Sequence, residues 1–150
     1  MRLKLPPAII FLVFGALMFF LARILPVGKF DFFGREVFTK VLLGIAILIA
    51  VIAIVQFRLK KTTVNPQRPQ KASSLVTTGI YDLSRNPMYL AMLLLLVALG
   101  LEFQNAFNTL LVGGYVFYMN KFQIIPEEEE LAKKFGQEYK LYLKAVRRWF

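Results

Sequence analysis

The sequence predicts an all-α integral membrane protein, with about four transmembrane helices in two hairpins and an amphipathic cytoplasmic helix at the C-terminal end. Three observations point that way. The 150-residue chain is 57% hydrophobic and 19% charged, whereas soluble domains run to roughly half apolar and a quarter charged. The apolar residues come in blocks too long for a globular core. The 19 lysines and arginines also divide unevenly between the two sides that those blocks define.

The first block, Pro6 to Leu25, carries one charge, Arg23, close to its far end. The second, Val37 to Phe57, carries only Lys40, close to its start. Each is about 20 residues, enough at ~1.5 Å per residue to cross a hydrocarbon layer of ~30 Å. Arg2 and Lys4 ahead of the first block imitate the start of a secretory signal. Its apolar run exceeds the usual ~7–15 residues and no small-residue cleavage site follows, so a retained helix is expected.

The third and fourth blocks, Met88–Leu101 and Ala106–Met119, flank the polar turn Glu102–Asn105. Each covers ~20 Å as a helix and crosses only if flanking residues join it or the bilayer thins. With both crossing, the N-terminus, the Arg58–Asn86 connection and the C-terminal tail share one side. That side holds 15 lysines and arginines and the other holds 4. Positive residues gather in the cytoplasm, so both termini are expected there, at a plasma or inner membrane. The net charge of +10 is then a topology signal with some attraction to anionic lipid, and a nucleic-acid partner is not expected.

The organisation expected is a single membrane domain over residues 1–150. Residues 1–58 form a helical hairpin, 59–86 a cytoplasmic connecting loop, and 87–150 the third and fourth helices with the C-terminal helix. The loop's first half, rich in Pro, Gln, Lys and Thr, has no apolar period and reads as irregular. Its second half gathers Leu75, Val76, Ile80 and Tyr81 around Gly79, which suits a segment lying against the protein. Asn86 and Pro87 form a helix start, a capping side chain followed by a ring already set at helical φ.

Pro126 likewise suits a first turn, with Glu127 to Glu130 following at the positive end of the dipole. Glu129–Lys133 and Glu130–Lys134 are i,i+4 pairs in the favourable order. Leu131, Phe135, Tyr139, Tyr142 and Val146 make one apolar stripe, with Gly136 expected to kink the helix. Gly113 and Gly114 are expected at a close helix–helix contact.

The chain has no cysteine and no histidine. Disulfides and thiolate nucleophiles are excluded, and the commonest general base and metal ligand are missing. Consecutive carboxylates on a helix converge poorly on one ion, so no metal is expected. Arg85 beside an apolar run has two readings: it snorkels to lipid phosphate, or it offers a rigid fork to a carboxylate or phosphate beside a helix N-terminus and Tyr89. The glutamates likewise either stabilise a first turn, where each contributes ~0.3–1 kcal/mol, or turn a carboxylate inward to receive an ammonium or a ribose hydroxyl. Glu128→Gln is expected to weaken ligand binding while leaving expression and helicity near wild type, and an unchanged affinity would return the glutamates to the structural role.

Two separated stretches bear on these readings. "SLVTTGIYDLSRNPMYLAM" is followed, after a hydrophobic hairpin, by "PEEEELAKKFGQEYKLYLKAVRRW". In order and spacing they resemble the isoprenylcysteine carboxyl methyltransferase and phospholipid methyltransferase superfamily of integral membrane enzymes. The matches are Leu75, Val76, Gly79, Tyr81, Arg85, Pro87 and Tyr89, then Glu127, Glu128, Leu131, Phe135, Gly136, Tyr139 and Tyr142. They cover residues 73–149.

The resemblance implies S-adenosylmethionine as methyl donor. Cofactor contacts are expected at Leu75, Val76, Tyr81, Asn86, Pro87, Met88, Tyr89, Glu127 and Glu128, with the C-terminal helix covering the cofactor. Arg85, Glu128 and Lys121 are the catalytic candidates, Lys121 because a basic residue shortly before the glutamates meets the acceptor in carboxyl-methylating members. The acceptor implied is a lipid-like or lipid-anchored molecule, an isoprenylcysteine carboxylate or a phospholipid amine, with a small thiol as an alternative.

Asn86 stands where the family usually has histidine, and Ala91 where it has glycine. Asn-Pro-Met-Tyr also looks like the phosphatidylethanolamine-methylating branch. A catalytically inactive scaffold with the same fold is the alternative from another class.

Overall fold

The computed structural model describes residues 5–25, 28–59 and 75–150. Arg2, Lys4 and the irregular connection expected over 60–74 lie outside the described residues. Two helices, α1 (Pro7–Ile24) and α2 (Arg35–Leu59), are long and apolar enough to cross a membrane. Most of their surface is uncovered: Leu12 is 64% exposed and Leu48 59%. Helices in the core of a soluble protein would bury such side chains, whereas lipid is as apolar as they are.

A single turn, α3 (Ile80–Leu83), precedes α4 (Pro87–Glu102) and α5 (Asn108–Met119). With 16 and 12 residues, α4 and α5 each fall short of the ~20 that a straight crossing requires. Two spanning helices, rather than four, therefore meet the length criterion among the described residues.

Among the described residues the main packing partner of both long helices is another element rather than each other. Both pack on α4, and α5 closes against α1 and α4. The reason lies in side-chain size. Ala46 and Ala53, seven residues apart, are fully buried on α2, and α4 buries Ala91 and Ala98, also seven apart. Small residues let two backbones approach closely where no hydrophobic force drives them together. On its other side α1 meets α4 and α5 with bulk: Ile10 and Met18 are buried in one cluster with Leu96, Tyr115 and Met119, and Phe14 packs against it. Of the paired glycines, Gly114 faces the Phe14 ring, while a side chain at Gly113 would meet open space.

The largest departure from expectation concerns the C-terminal helix. It does not begin afresh at Pro126. The chain passes from α5 through a π-helical turn (Asn120–Ile124) into α6 (Ile125–Ala145), with right-handed helical φ/ψ at Met119, Asn120, Ile124 and Ile125. The Ile125 N–H reaches back five residues to the Asn120 carbonyl. Proline lacks an N–H and its ring crowds the carbonyl four residues earlier. A wider turn just ahead of Pro126 relieves that conflict without ending the helix. Gly136 interrupts α6 as expected, at φ 54° and ψ −121°.

Two ends of the bundle result. At one, the links α1–α2 and α4–α5 meet: the Ala106 N–H donates to the Gly28 carbonyl at 2.9 Å, and Asn105 Nδ2 donates to the Leu25 carbonyl at 2.8 Å. At the other end lie the start of α1, the end of α2, the segment 75–86 and the C-terminal tail.

Candidate active site

The tail end of the bundle has an apolar floor. Val76 and Tyr81 are buried with Tyr139, Tyr142 and Val146, and Leu75, Met88, Leu131 and Phe135 pack around them. The second half of the connecting segment is thus ordered against the apolar stripe of α6. Gly79 makes this possible. Its φ of 69° turns the chain, its N–H donates to Asp82 Oδ2 at 2.9 Å, and the next N–H, of Ile80, donates to Gln56 Oε1 on α2 at 3.2 Å. Tyr142 closes the floor by donating its hydroxyl to the Tyr81 carbonyl at 2.7 Å.

Above the floor the entrance to α4 meets the glutamates of α6. Arg85 Nη1 lies 3.1 Å from Glu128 Oε1. The Tyr89 hydroxyl donates to Glu127 Oε1 at 2.7 Å, and Gln123 Nε2 donates to the same oxygen. The two stretches that sequence marked as separate motifs are therefore in direct contact. Arg85 is an ion-pair partner rather than a lipid anchor.

Because α6 continues from α5, Glu127 and Glu128 do not sit at a free helix end. Their partners across the bundle, rather than the dipole, account for them. Lys133 pairs with Glu130 at 3.4 Å, an i,i+3 contact on the solvent side.

A third strand of chain completes the cluster. After Ala145 the backbone turns extended, with Val146 at φ −124° and ψ 139°, and runs between the α4 entrance and the α5–α6 helix. On one side the Arg85 N–H donates to the Arg147 carbonyl at 3.0 Å. Ser84 Oγ and Asn86 Nδ2 donate to the Arg148 carbonyl at 3.2 and 3.0 Å. On the other side Trp149 Nε1 donates to Asn120 Oδ1 at 3.1 Å. Arg148 grips Glu128 with Nε at 3.0 and 3.2 Å and Nη2 at 2.7 Å.

Two sequence expectations change here. Asn86 does not cap α4: its amide is turned to the tail, and Pro87 alone provides the helix start. Lys121 does not join the cluster. It is exposed, with its ammonium 5.6 and 5.5 Å from the Phe117 and Phe122 rings. In an unbroken α-helix, residues 121 and 128 would share a face. The π turn inserts one extra residue, about 100° of rotation, and carries Lys121 off that face. Gln123, four residues before Glu127, faces the site instead.

Gln123, Asn120 and Arg148 escaped the sequence reading. Gln123 becomes visible, four residues before Glu127, once the helix is known to run through Pro126, whereas Asn120 enters only through its contact with Trp149. For Arg148 the sequence offers only a basic pair beside a tryptophan.

The neighbouring carboxyls have opposite surroundings. Glu128 lies between two guanidinium groups, and its hydrogen bonds hold Arg148 more firmly protonated. Glu127 has only neutral donors. Burial pushes its pKa up to about 7, against the pull of the Tyr89 and Gln123 hydrogen bonds, with the Glu128 charge adding to the rise. One carboxyl is thus paired with two cations, while its neighbour is desolvated with neutral donors alone, which suits it to exchange a proton. Burial likewise raises the Tyr139 phenol, so it stays neutral beside them.

Among the described residues, Arg85 Nε is buried without a hydrogen-bond partner. A buried guanidinium donor left unpaired is an opening for an anionic group from a ligand.

The family model described as phospholipid methyltransferase matches residues 34–138 of this chain. An uncharacterized protein of Haemophilus influenzae is 45% identical over 62 residues, which are 41% of this chain and 98% of that protein. No solved structure matches the chain.

Proposed function

This chain belongs to the phospholipid methyltransferase family, and from that premise we propose that it methylates an amine carried by a lipid-like acceptor, with S-adenosylmethionine as donor. Membership suggests a membrane methyltransferase. The observation that carries the reading further is the convergence of the α4 entrance on the α6 glutamates, with Arg85 against Glu128 and Tyr89 against Glu127.

The residues present suit the cofactor. Arg85, through its unpartnered Nε, would hold a carboxylate, and Asn86 lies next to it. Leu75 and Met88, partly exposed over a floor backed by Val76, Tyr81 and Pro87, would offer apolar surface to a purine and its ribose. Bound there, the cofactor supplies an electrophilic methyl group. The protein's own work is positioning, exclusion of water and handling of one proton.

The proton favours an amine over a carboxylate as acceptor. An ammonium group with a pKa near ~10 must lose a proton before it can react, whereas a carboxylate is already ionised. With no histidine in the chain, Glu127 is the group suited to receive that proton: at neutral pH it is partly ionised, and Tyr89 and Gln123 fix its orientation. Glu128 serves as a fixed charge. In this reading α4 and α5 complete four crossings of one membrane domain, and both termini face the cytoplasm.

The test uses detergent-purified, folded protein. Calorimetry should register binding of S-adenosylhomocysteine. Radiolabelled methyl groups should then appear in the lipid fraction of vesicles containing phosphatidylethanolamine. Folded protein that binds no S-adenosylhomocysteine would favour a scaffold that has kept the fold without the activity.

A further inference from the structure

The tail that threads the site lies beyond the matched residues 34–138, yet it supplies the strongest contact to Glu128. We propose that Arg148 is a positioning residue, holding Glu128 as a neutralised, immobile anchor so that the adjacent Glu127 is left to exchange the proton of an amine acceptor. This deepens the proposed amine methylation and rests on it.

The geometry carries the inference. Glu128 is 13% exposed at its side chain and accepts three hydrogen bonds from Arg148, using both carboxylate oxygens. Arg85 reaches only Oε1. A planar guanidinium gripping both oxygens fixes the carboxylate's orientation as well as its charge. Arg148 is held in turn by its own backbone, because its carbonyl accepts from Ser84 and Asn86. Trp149, the next residue, is pinned to Asn120 on the π turn. The tail is therefore fixed on both sides of Arg148, as a device that places a charge requires.

The groups facing Glu127 can be named from every element packed on it. Tyr89 comes from α4, Gln123 from the π turn and Glu128 from the next position on α6. Tyr139 lies within electrostatic reach on α6, and Arg85 and Arg148 act through Glu128. If Arg148 is removed, half of the countercharge on Glu128 goes with it. The neighbouring negative charge then bears on Glu127 and makes it bind its proton more tightly. A residue that merely stapled the tail in place would not have that effect.

The experiment follows Glu127 directly, by infrared titration of its carboxyl in full-length protein, alongside the pH dependence of methyl transfer into phosphatidylethanolamine vesicles. Arg148→Gln should raise the Glu127 midpoint by about one pH unit, a tenfold change in proton affinity, and should move the rising limb of the rate profile by the same amount. Arg148→Lys should restore most of both, since it returns the charge without the fork. In Arg148→Gln combined with Glu128→Gln the upward shift should vanish, because the charge that causes it is gone.

An unchanged Glu127 midpoint in Arg148→Gln would overturn the proposal, as would a shift that survives in the double variant. Arg148→Lys carries the same test if Arg148→Gln does not fold: its midpoint should stay within a few tenths of a unit of wild type, and a full-unit rise would count against the charge. A wild-type protein with the expected titrations but no transfer to lipid would instead count against the amine reading alone.

Discussion

Replacing Glu127 by glutamine separates a proton-exchanging carboxyl from a structural one. Glutamine keeps an oxygen to accept from Tyr89 and Gln123 but cannot titrate. In the folded protein burial lifts Glu127 from 4.5 to about 7. The folded state therefore binds a proton more tightly than the unfolded chain, and the stability linked to that proton is present at low pH and lost as pH rises through about 7. At ~1.4 kcal/mol per pH unit, the difference comes to about 3 kcal/mol between pH 5 and pH 8. For a chain of this size that is on the order of 6–12 °C in melting temperature.

The assay is thermal unfolding in one detergent across that pH range. Wild type should melt lower at pH 8 than at pH 5, and Glu127→Gln should lose the slope and gain stability at pH 8. Methyl transfer in the same variant should fall by roughly 10²–10⁴-fold if the carboxylate is the proton acceptor. If the variant keeps the wild-type pH slope, some other group titrates there and Glu127 is not desolvated as described.

Two further substitutions probe the site's supports. Glu128→Gln leaves Arg85 and Arg148 facing a neutral amide, so it should destabilise by about 3 kcal/mol, well above the ~0.3–1 kcal/mol that a first-turn glutamate contributes; a melting temperature within a degree of wild type would refute this. Gly79→Ala places a Cβ at φ 69° and into the Gln56 amide that receives Ile80, so a loss of at least ~1–3 kcal/mol is expected, read as a lower melting temperature together with weaker S-adenosylhomocysteine binding.

Much of this protein was legible one residue at a time. Composition and block length alone marked α1 and α2 as helices long and apolar enough to cross a membrane, because a bilayer demands a minimum apolar length that no local interaction can disguise. The stripe from Leu131 to Val146 was also visible, since helical spacing is a property of the chain itself. So were Arg85, Tyr89, Glu127 and Glu128, which lie in two short stretches of fixed internal spacing. Gly136 announced its own break.

Other features depended on how segments meet. Pro126 looked like a helix start because proline's local preference is the same at a true start and after a π turn. Only the continuation from α5 distinguishes the two, and that choice moved Lys121 out of the site and Gln123 into it. The pairing of α2 with α4 rather than α1 depended on alanines far apart in sequence finding one another. Arg148 became part of the cluster only when the tail folded back more than 60 residues along the chain to Ser84 and Asn86. Sequence by itself determined which residues could carry charge beside apolar runs. Tertiary contact decided which carboxyl is neutralised and which is left to bind a proton, because desolvation and ion pairing are set by neighbours in space.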